Sequence, residues 1–297
     1  MKTSQGTLEL IADMKTVCGE SPIWDPETGL LVWTDTASPF VHVWDPAARR
    51  MVSRRTRHTV RAVARAGSGR YLLVCEDGIR LLPAEGEEGE FLCHPEKGQP
   101  GRMPNDGTVD PAGRFLFDTF NTVRLEDPSG SLYSLDASGK VNRLDTGLVL
   151  PNGIAFSPDG LTLYVAEMFA RRILRYEYDP VSGRASGRRV FAEVPDADGL
   201  PDGLVVDSSG FVWSAHWAGW RITRYAPDGS IDRVVPLPFA TATCMGFGGP
   251  GLRDLYITSA TMGLSPEDLD RSRNPGGLFA MKDAGEGLEE RVFGKTP

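Results

Sequence analysis

Cysteine is scarce in this sequence: four in 297 residues, Cys18, Cys75, Cys93 and Cys244, with no CxxC pair. They are too few to staple a chain this long and read as buried thiols of a reducing cytoplasm, not as disulfides. No apolar run approaches the roughly 18 residues of a membrane-crossing helix. Met1 to Asp13 lacks the basic stretch and apolar stretch of an export signal. The expectation is a cytoplasmic protein with no membrane partner. Positive charge is in deficit, 32 Lys and Arg against 40 Asp and Glu, a net −8, and there is no dominant basic cluster. That balance argues against nucleic acid as a partner. The run from Arg49 and Arg50 to Arg61 is basic but reads as a solvated hairpin.

Familiar catalytic signatures are also missing. There is no GxSxG elbow and no HExxH helix. Gly294-Lys295-Thr296 looks like the end of a phosphate loop, but Glu289 stands where its first glycine belongs. The histidines, His42, His58, His94 and His216, have no ligand spacing, and His216 reads as a hydrogen-bonded structural residue. Helical periodicity is hard to find; Pro266 to Arg271 is the one candidate turn of helix.

Glycine and proline are plentiful, 34 and 22, and predict many turns. With 40% apolar and 24% charged residues, the chain has the composition of a globular protein able to bury a large core. One pattern recurs: a short apolar run, a turn ending in glycine, and a second apolar run. Examples are Ile23-Trp24, Asp25 to Gly29, Leu30 to Trp33, and Ile154 to Phe156, Ser157 to Gly160, Leu163 to Val165. The turn glycines fall at 29, 69, 113, 160, 210 and 251, spaced by 40, 44, 47, 50 and 41 residues. That is the length of a four-stranded propeller blade. The expected fold is therefore all-β, a six-bladed propeller spanning 1–297 as one domain. Leu8 to Ile11 is expected to close the last blade beside Gly277 to Met281, removing an exposed edge. Trp24, Trp33, Trp44 and Trp213 fall on strands and read as packing between blades, whereas Trp217 and Trp220 sit near a blade edge.

The phase of the repeat locates a site. Eight residues before the turn glycine lie Arg61, Asn105, Asn152, Asp202 and Thr243; in blade one, with one extra turn residue, nine residues back is Glu20. The first strand of a blade lines the channel, so these positions converge at one mouth. Asp106-Gly107, Asn152-Gly153 and Asp202-Gly203 each read alone as a turn, but the hairpin turn of each blade is already assigned to the later glycine. Glu20, Asn105, Asn152 and Asp202 are left as a ring of oxygen donors. Carboxylates and amides without His or Cys suit a hard cation such as Ca²⁺ or Mg²⁺. Such a cation can polarise a carbonyl while an adjacent carboxylate takes a proton.

At these residues the sequence resembles the regucalcin (senescence marker protein)/gluconolactonase family. The resemblance is carried by Gly19-Glu20-Ser21-Pro22-Ile23-Trp24, by Pro104-Asn105-Asp106-Gly107 with Asp110, by Pro151-Asn152-Gly153 with Ser157-Pro158-Asp159-Gly160, and by Pro201-Asp202-Gly203-Leu204 with Asp207 and Gly210. Gly248-Gly249 and Gly276-Gly277-Leu278-Phe279 extend it to the closing blade. The resemblance implies a six-bladed propeller that hydrolyses sugar lactones to aldonic acids with one divalent metal in the channel. Ligation falls on Glu20, Asn152 and Asp202, with Asp202 also the base. Ca²⁺ is favoured by ligand hardness; Zn²⁺, Mg²⁺, Mn²⁺ and Fe²⁺ bind the same donors. Asn105 takes a substrate-contacting role. The family's arginine two residues before it is Met103 here, and Arg102, one place earlier, is read as reaching the sugar hydroxyls. Asp118-Thr119-Phe120-Asn121 stands where the family often has a carboxylate. Two rival readings stay open: a non-enzymatic calcium-binding or interaction propeller, and an aryl-ester or phosphotriester hydrolase on the same site, which needs an apolar pocket.

Overall fold

The computed structural model describes residues 7–86 and 89–295. Six sheets of four antiparallel strands are arranged as the blades of a propeller. The first blade runs Gly19–Asp25, Leu30–Asp35, Phe40–Asp45 and Arg50–Arg55. The later innermost strands are Val60–Arg65, Arg102–Val109, Pro151–Phe156, Leu200–Val206 and Ala242–Gly248. Each innermost strand packs against those of the blades before and after it, and the last returns to the first. The six turn glycines all sit in the left-handed region, with φ from 66° to 84°, where a side chain is disfavoured.

Composition along each blade follows distance from the axis. Gly19–Asp25 is buried at every position, so its sequence shows no alternation. Arg50–Arg55, at the rim, is almost wholly exposed or half-exposed and carries three arginines. Apolar clusters fill the six gaps between neighbouring blades. In one, Ile23, Val32 and Val41 of the first blade meet Val63, Leu73 and Cys75 of the second; in another, Trp24 and Trp33 meet Tyr256 and Leu278. Trp24 stacks on Tyr256 and Trp213 packs edge-on against Phe247. The tryptophans thus hold blades together, Trp44 from the margin of its cluster.

Ring closure follows the expected route. Leu8–Ala12 pairs antiparallel with Leu278–Met281, Leu8 opposite Met281 and Leu10 opposite Phe279. The fourth strand of the last blade therefore comes from the other end of the chain, and the ring cannot open without breaking that pairing. The one α-helix among the described residues is Pro266–Arg271, capped by Ser265, whose hydroxyl accepts from the Asp268 N–H. No helix there is long and apolar enough to cross a membrane. All four cysteines are free; Cys18, Cys75 and Cys244 are buried, whereas Cys93 is partly exposed and departs from the expectation.

Candidate active site

All six innermost strands break register near their starts. The irregularity lies between Glu20 and Ile23, Val60 and Ala62, Pro104 and Gly107, Asn152 and Ile154, Pro201 and Leu204, and Ala242 and Met245. A β-bulge re-aims the side chain beside it. The Asn-Gly and Asp-Gly pairs are thus bulges inside strands and not turns. Their glycines are required by close approach of neighbouring inner strands. A Cβ on Gly153, whose φ is 42°, would lie 2.3 Å from the Asp202 carbonyl oxygen. One on Gly203 would lie 2.6 Å from Cys244 Sγ.

The bulges gather their side chains at one end of the channel, around a cavity of about 470 Å³. Glu20, Asn105, Asn152 and Asp202 all line it, with Arg61, Asp106, Cys18 and Thr36. Asn152 Nδ2 donates to Asp202 Oδ1 at 2.5 Å and to Met168 Sδ at 3.3 Å. Asn152 Oδ1 accepts from the Gly153 N–H at 2.9 Å. Glu20 Oε2 accepts from the Ser21 N–H at 3.3 Å. Asn105 Nδ2 donates to the Pro151 carbonyl at 3.2 Å, while its Oδ1 accepts from Arg61. Thr243, at the same phase in the sixth blade, turns its hydroxyl onto the Gly19 carbonyl.

The electrostatics of this floor are lopsided. Burial pushes the Glu20 carboxyl well above the usual range, and the charges of Asp202 and Asp106 push it further. Burial, then Asp106, does the same to Asp202. Asp106 is raised to about 6 by burial, against three backbone N–H groups that favour its charged form. Beneath it, fully buried Asp118 accepts from the Asp106 N–H through Oδ1 and leaves Oδ2 without a partner. Burial, then Asp106, raises Asp118 as well. Several carboxyls crowd together with one guanidinium, an arrangement that calls for added positive charge. Cys18 and Cys244 are held as thiols by burial first and by the charge of Glu20 second, which excludes them as ready nucleophiles.

Two assignments change. Arg102 does not line the cavity. Its guanidinium donates to Ser129 Oγ at 2.9 Å and to the Ser129 carbonyl, and pairs with Glu96 at 3.7 Å. The inner strand places residue 102 before its bulge, opposite Asn121 and away from the axis. Arg61 moves the other way: it is no part of a solvated hairpin but enters the cavity. The phase count already put it there, and only its charge, unlike that of the other ring members, hid its membership. The walls are also more apolar than the motifs suggest. Phe120, Leu150 and Met168 are buried there, with Leu200 and Trp217 beside them. Leu125, Phe169 and Met262, three of the exposed large apolar residues, rim the mouth. His216 stays structural, buried with Nδ1 at 2.7 Å from the Asp198 carbonyl oxygen.

The donor set fits a hard divalent cation. Among the described residues no three His, Cys, Asp or Glu side chains converge to hold an ion by themselves, so the Asn152 amide oxygen is needed beside Glu20 and Asp202. Two carboxylates and one neutral oxygen match Ca²⁺ or Mg²⁺ chemistry. A cation among them would favour their ionised forms, reversing the shifts that burial imposes.

Comparison with known proteins agrees with this architecture. The family model described as SMP-30/Gluconolactonase/LRE-like region matches residues 18–261. A pentonolactonase of Haloferax volcanii is 34% identical over 86% of this chain and 85% of its own. Regucalcin of Xenopus laevis is 30% identical over 96% and 98%. The crystal structure of a calcium-binding protein, regucalcin, from Agrobacterium tumefaciens superposes with a TM-score of 0.91 over 97% of each chain at 27% identity.

Proposed function

The chain belongs to the SMP-30/Gluconolactonase/LRE-like family, and from that premise we propose that it hydrolyses a sugar lactone to the aldonic acid with the help of a divalent metal. The observation that carries the reading is the Asn152–Asp202 pair, bonded at 2.5 Å on the cavity floor beside Glu20. Glu20, Asn152 and Asp202 would hold the ion. When bound, it polarises the lactone carbonyl and offsets the negative charge that develops on that oxygen. Calcium suits these donors, and the regucalcin of Agrobacterium tumefaciens is a calcium-binding protein.

The chain's own residues do the rest. Asn152 occupies Asp202 Oδ1 and so fixes the carboxylate plane, leaving Oδ2 to take a proton from water. The water oxygen bonds to the carbonyl carbon, the ring C–O bond breaks, and the ring oxygen takes back the proton that Oδ2 held. With an ion beside it, Asp202 would be ionised and so able to accept that proton. The apolar walls exclude water around the reacting ring. A cavity of about 470 Å³ is ample for a monosaccharide lactone.

The test is hydrolysis of pentono- and hexonolactones by chelated protein with Ca²⁺, Mg²⁺, Mn²⁺, Zn²⁺ or Fe²⁺ restored in turn, followed by pH-stat. Turnover that disappears with chelator and returns with one ion supports the reading. No turnover with any ion overturns it. The apolar wall of Phe120, Leu150 and Met168 also favours trying aryl esters and phosphotriesters in the same panel. Turnover of those alone would favour that hydrolase reading, and none at all a binding propeller.

A further inference from the structure

Arg61 reaches the floor from the second blade, at the repeat position that supplies Glu20, Asn105, Asn152 and Asp202 from other blades. Its Nε and Nη2 donate to one and the same atom, Asn105 Oδ1, at 3.0 and 2.7 Å. The guanidinium carbon lies 5.2 Å from the Phe120 ring centroid, so the aromatic ring supports the planar group. These contacts use two of the five N–H bonds. The three others have no hydrogen-bond partner among the described residues, and Arg61 forms no ion pair there.

Asn105 stands differently. Its oxygen is taken by Arg61 and one amide hydrogen by the Pro151 carbonyl at 3.2 Å. It has little left to offer a ligand, and it holds the arginine in place. Elsewhere above the floor the lining is mostly apolar, with Phe120, Leu150, Met168 and Trp217, and also holds Thr36 and Glu76. Arg61 is the one cationic hydrogen-bond donor among the lining residues.

We infer that Arg61 is the substrate-binding residue that selects the lactone, its free guanidinium edge donating to two neighbouring ring hydroxyls, with Asn105 as its positioning residue. The planar fork matches a vicinal pair of oxygens better than a single one. The substrate class is a small lactone with a vicinal diol on the edge facing Arg61 and a C–H face against Phe120, Leu150 and Trp217. The inference rests on the lactonase reading and deepens it.

The experiment compares a 1,4-pentonolactone bearing the 2,3-diol with its 2-deoxy counterpart, using metal-loaded wild type, Arg61→Ala, Arg61→Lys and Asn105→Ala, each first checked for native circular dichroism. Loss of charge-assisted hydrogen bonds predicts that Arg61→Ala lowers kcat/KM about 10- to 100-fold on the diol, mostly through KM, and far less on the deoxy lactone. Arg61→Lys, a point charge without the fork, regains part of the loss, and Asn105→Ala shows the same substrate-dependent pattern in weaker form. Unchanged kcat/KM in Arg61→Ala, or equal losses on both lactones in Arg61→Ala and Arg61→Lys, overturns the assignment while leaving the lactonase reading intact. Wild type inert towards every sugar lactone with every ion overturns both.

Discussion

The two ends of the channel are built from the same six strands and carry opposite chemistry. At the strand starts, Glu20, Asp106 and Asp202 face one another across a cavity with Arg61 as the one cation that lines it. At the strand ends, each buried carboxylate has a partner of its own. Asp25 meets Arg65 at 3.1 Å. Asp110 meets Arg114 at 2.7 Å and the Tyr178 hydroxyl at 2.5 Å. Asp207 meets Arg224 at 2.7 Å and the Trp213 indole N–H at 3.0 Å. That end is also covered. The stretch 286–295 bridges to Asp207 through Gly287, accepts from the Ser208 N–H and from Arg65, and donates to the Leu252, Arg65 and Gly113 carbonyls. Buried acids matched one to one with bases are architecture; buried acids left to face each other mark a site that waits for a ligand.

The contrast can be broken from either end. At the open end, Asp202→Ala should lower lactone turnover about 100- to 10,000-fold, the usual worth of a positioned base. Its thermal melting in the absence of metal should not fall, because a buried like charge has been removed. Retained turnover in a pH-stat assay would take Asp202 out of the chemistry. At the covered end, Arg65→Ala strands the buried Asp25 carboxylate and should cost about 3–5 kcal/mol in urea unfolding, with kcat/KM per folded molecule unchanged. A lowered kcat/KM would show that the two ends are not separable.

Smaller effects sharpen the picture. Burial holds the His216 imidazole down at about 4, below its ordinary value of 6.5. Its neutral form is thus favoured by folding. The stability it contributes is complete above about pH 6.5 and is lost as pH falls towards 4, about 3 kcal/mol in all. Subtracting the pH–stability curve of His216→Gln from that of wild type should isolate this loss; a flat difference would contradict it. The carboxyls of Glu20 and Asp202 are displaced upward, so they must release protons to bind an ion. Calcium at a hundredfold excess over Kd should raise stability by about 2.7 kcal/mol at pH 8 and by less at pH 5. Calorimetry should find no such gain in Asn152→Ala.

Much of this was legible in the sequence because a propeller writes itself as a repeat. The spacing of Gly29, Gly69, Gly113, Gly160, Gly210 and Gly251 gave the blades, and the count back from each gave the ring. The closing strand Leu8–Ala12 and the helix Pro266–Arg271 were visible for the same local reasons. What stayed hidden depends on the register bulges. Repeat phase separates Arg61, eight residues before its turn glycine, from Arg102, eleven before its own, but it does not say what each side chain touches; one precedes its bulge and turns to Ser129, the other follows Val60 at its bulge and turns to Asn105. The apolar wall follows a second phase that the count back to the first strands does not sample: Phe120 and Trp217 stand seven residues after Gly113 and Gly210, and Met168 eight after Gly160, each at or just past the end of a second strand.

The covering stretch 286–295 has a consequence for traffic. A channel stoppered at one end is a blind alley, and whatever enters past Phe169 and Met262 must leave by the same doorway. Released acid and incoming lactone then share one threshold, and residues at the rim govern exit as much as entry.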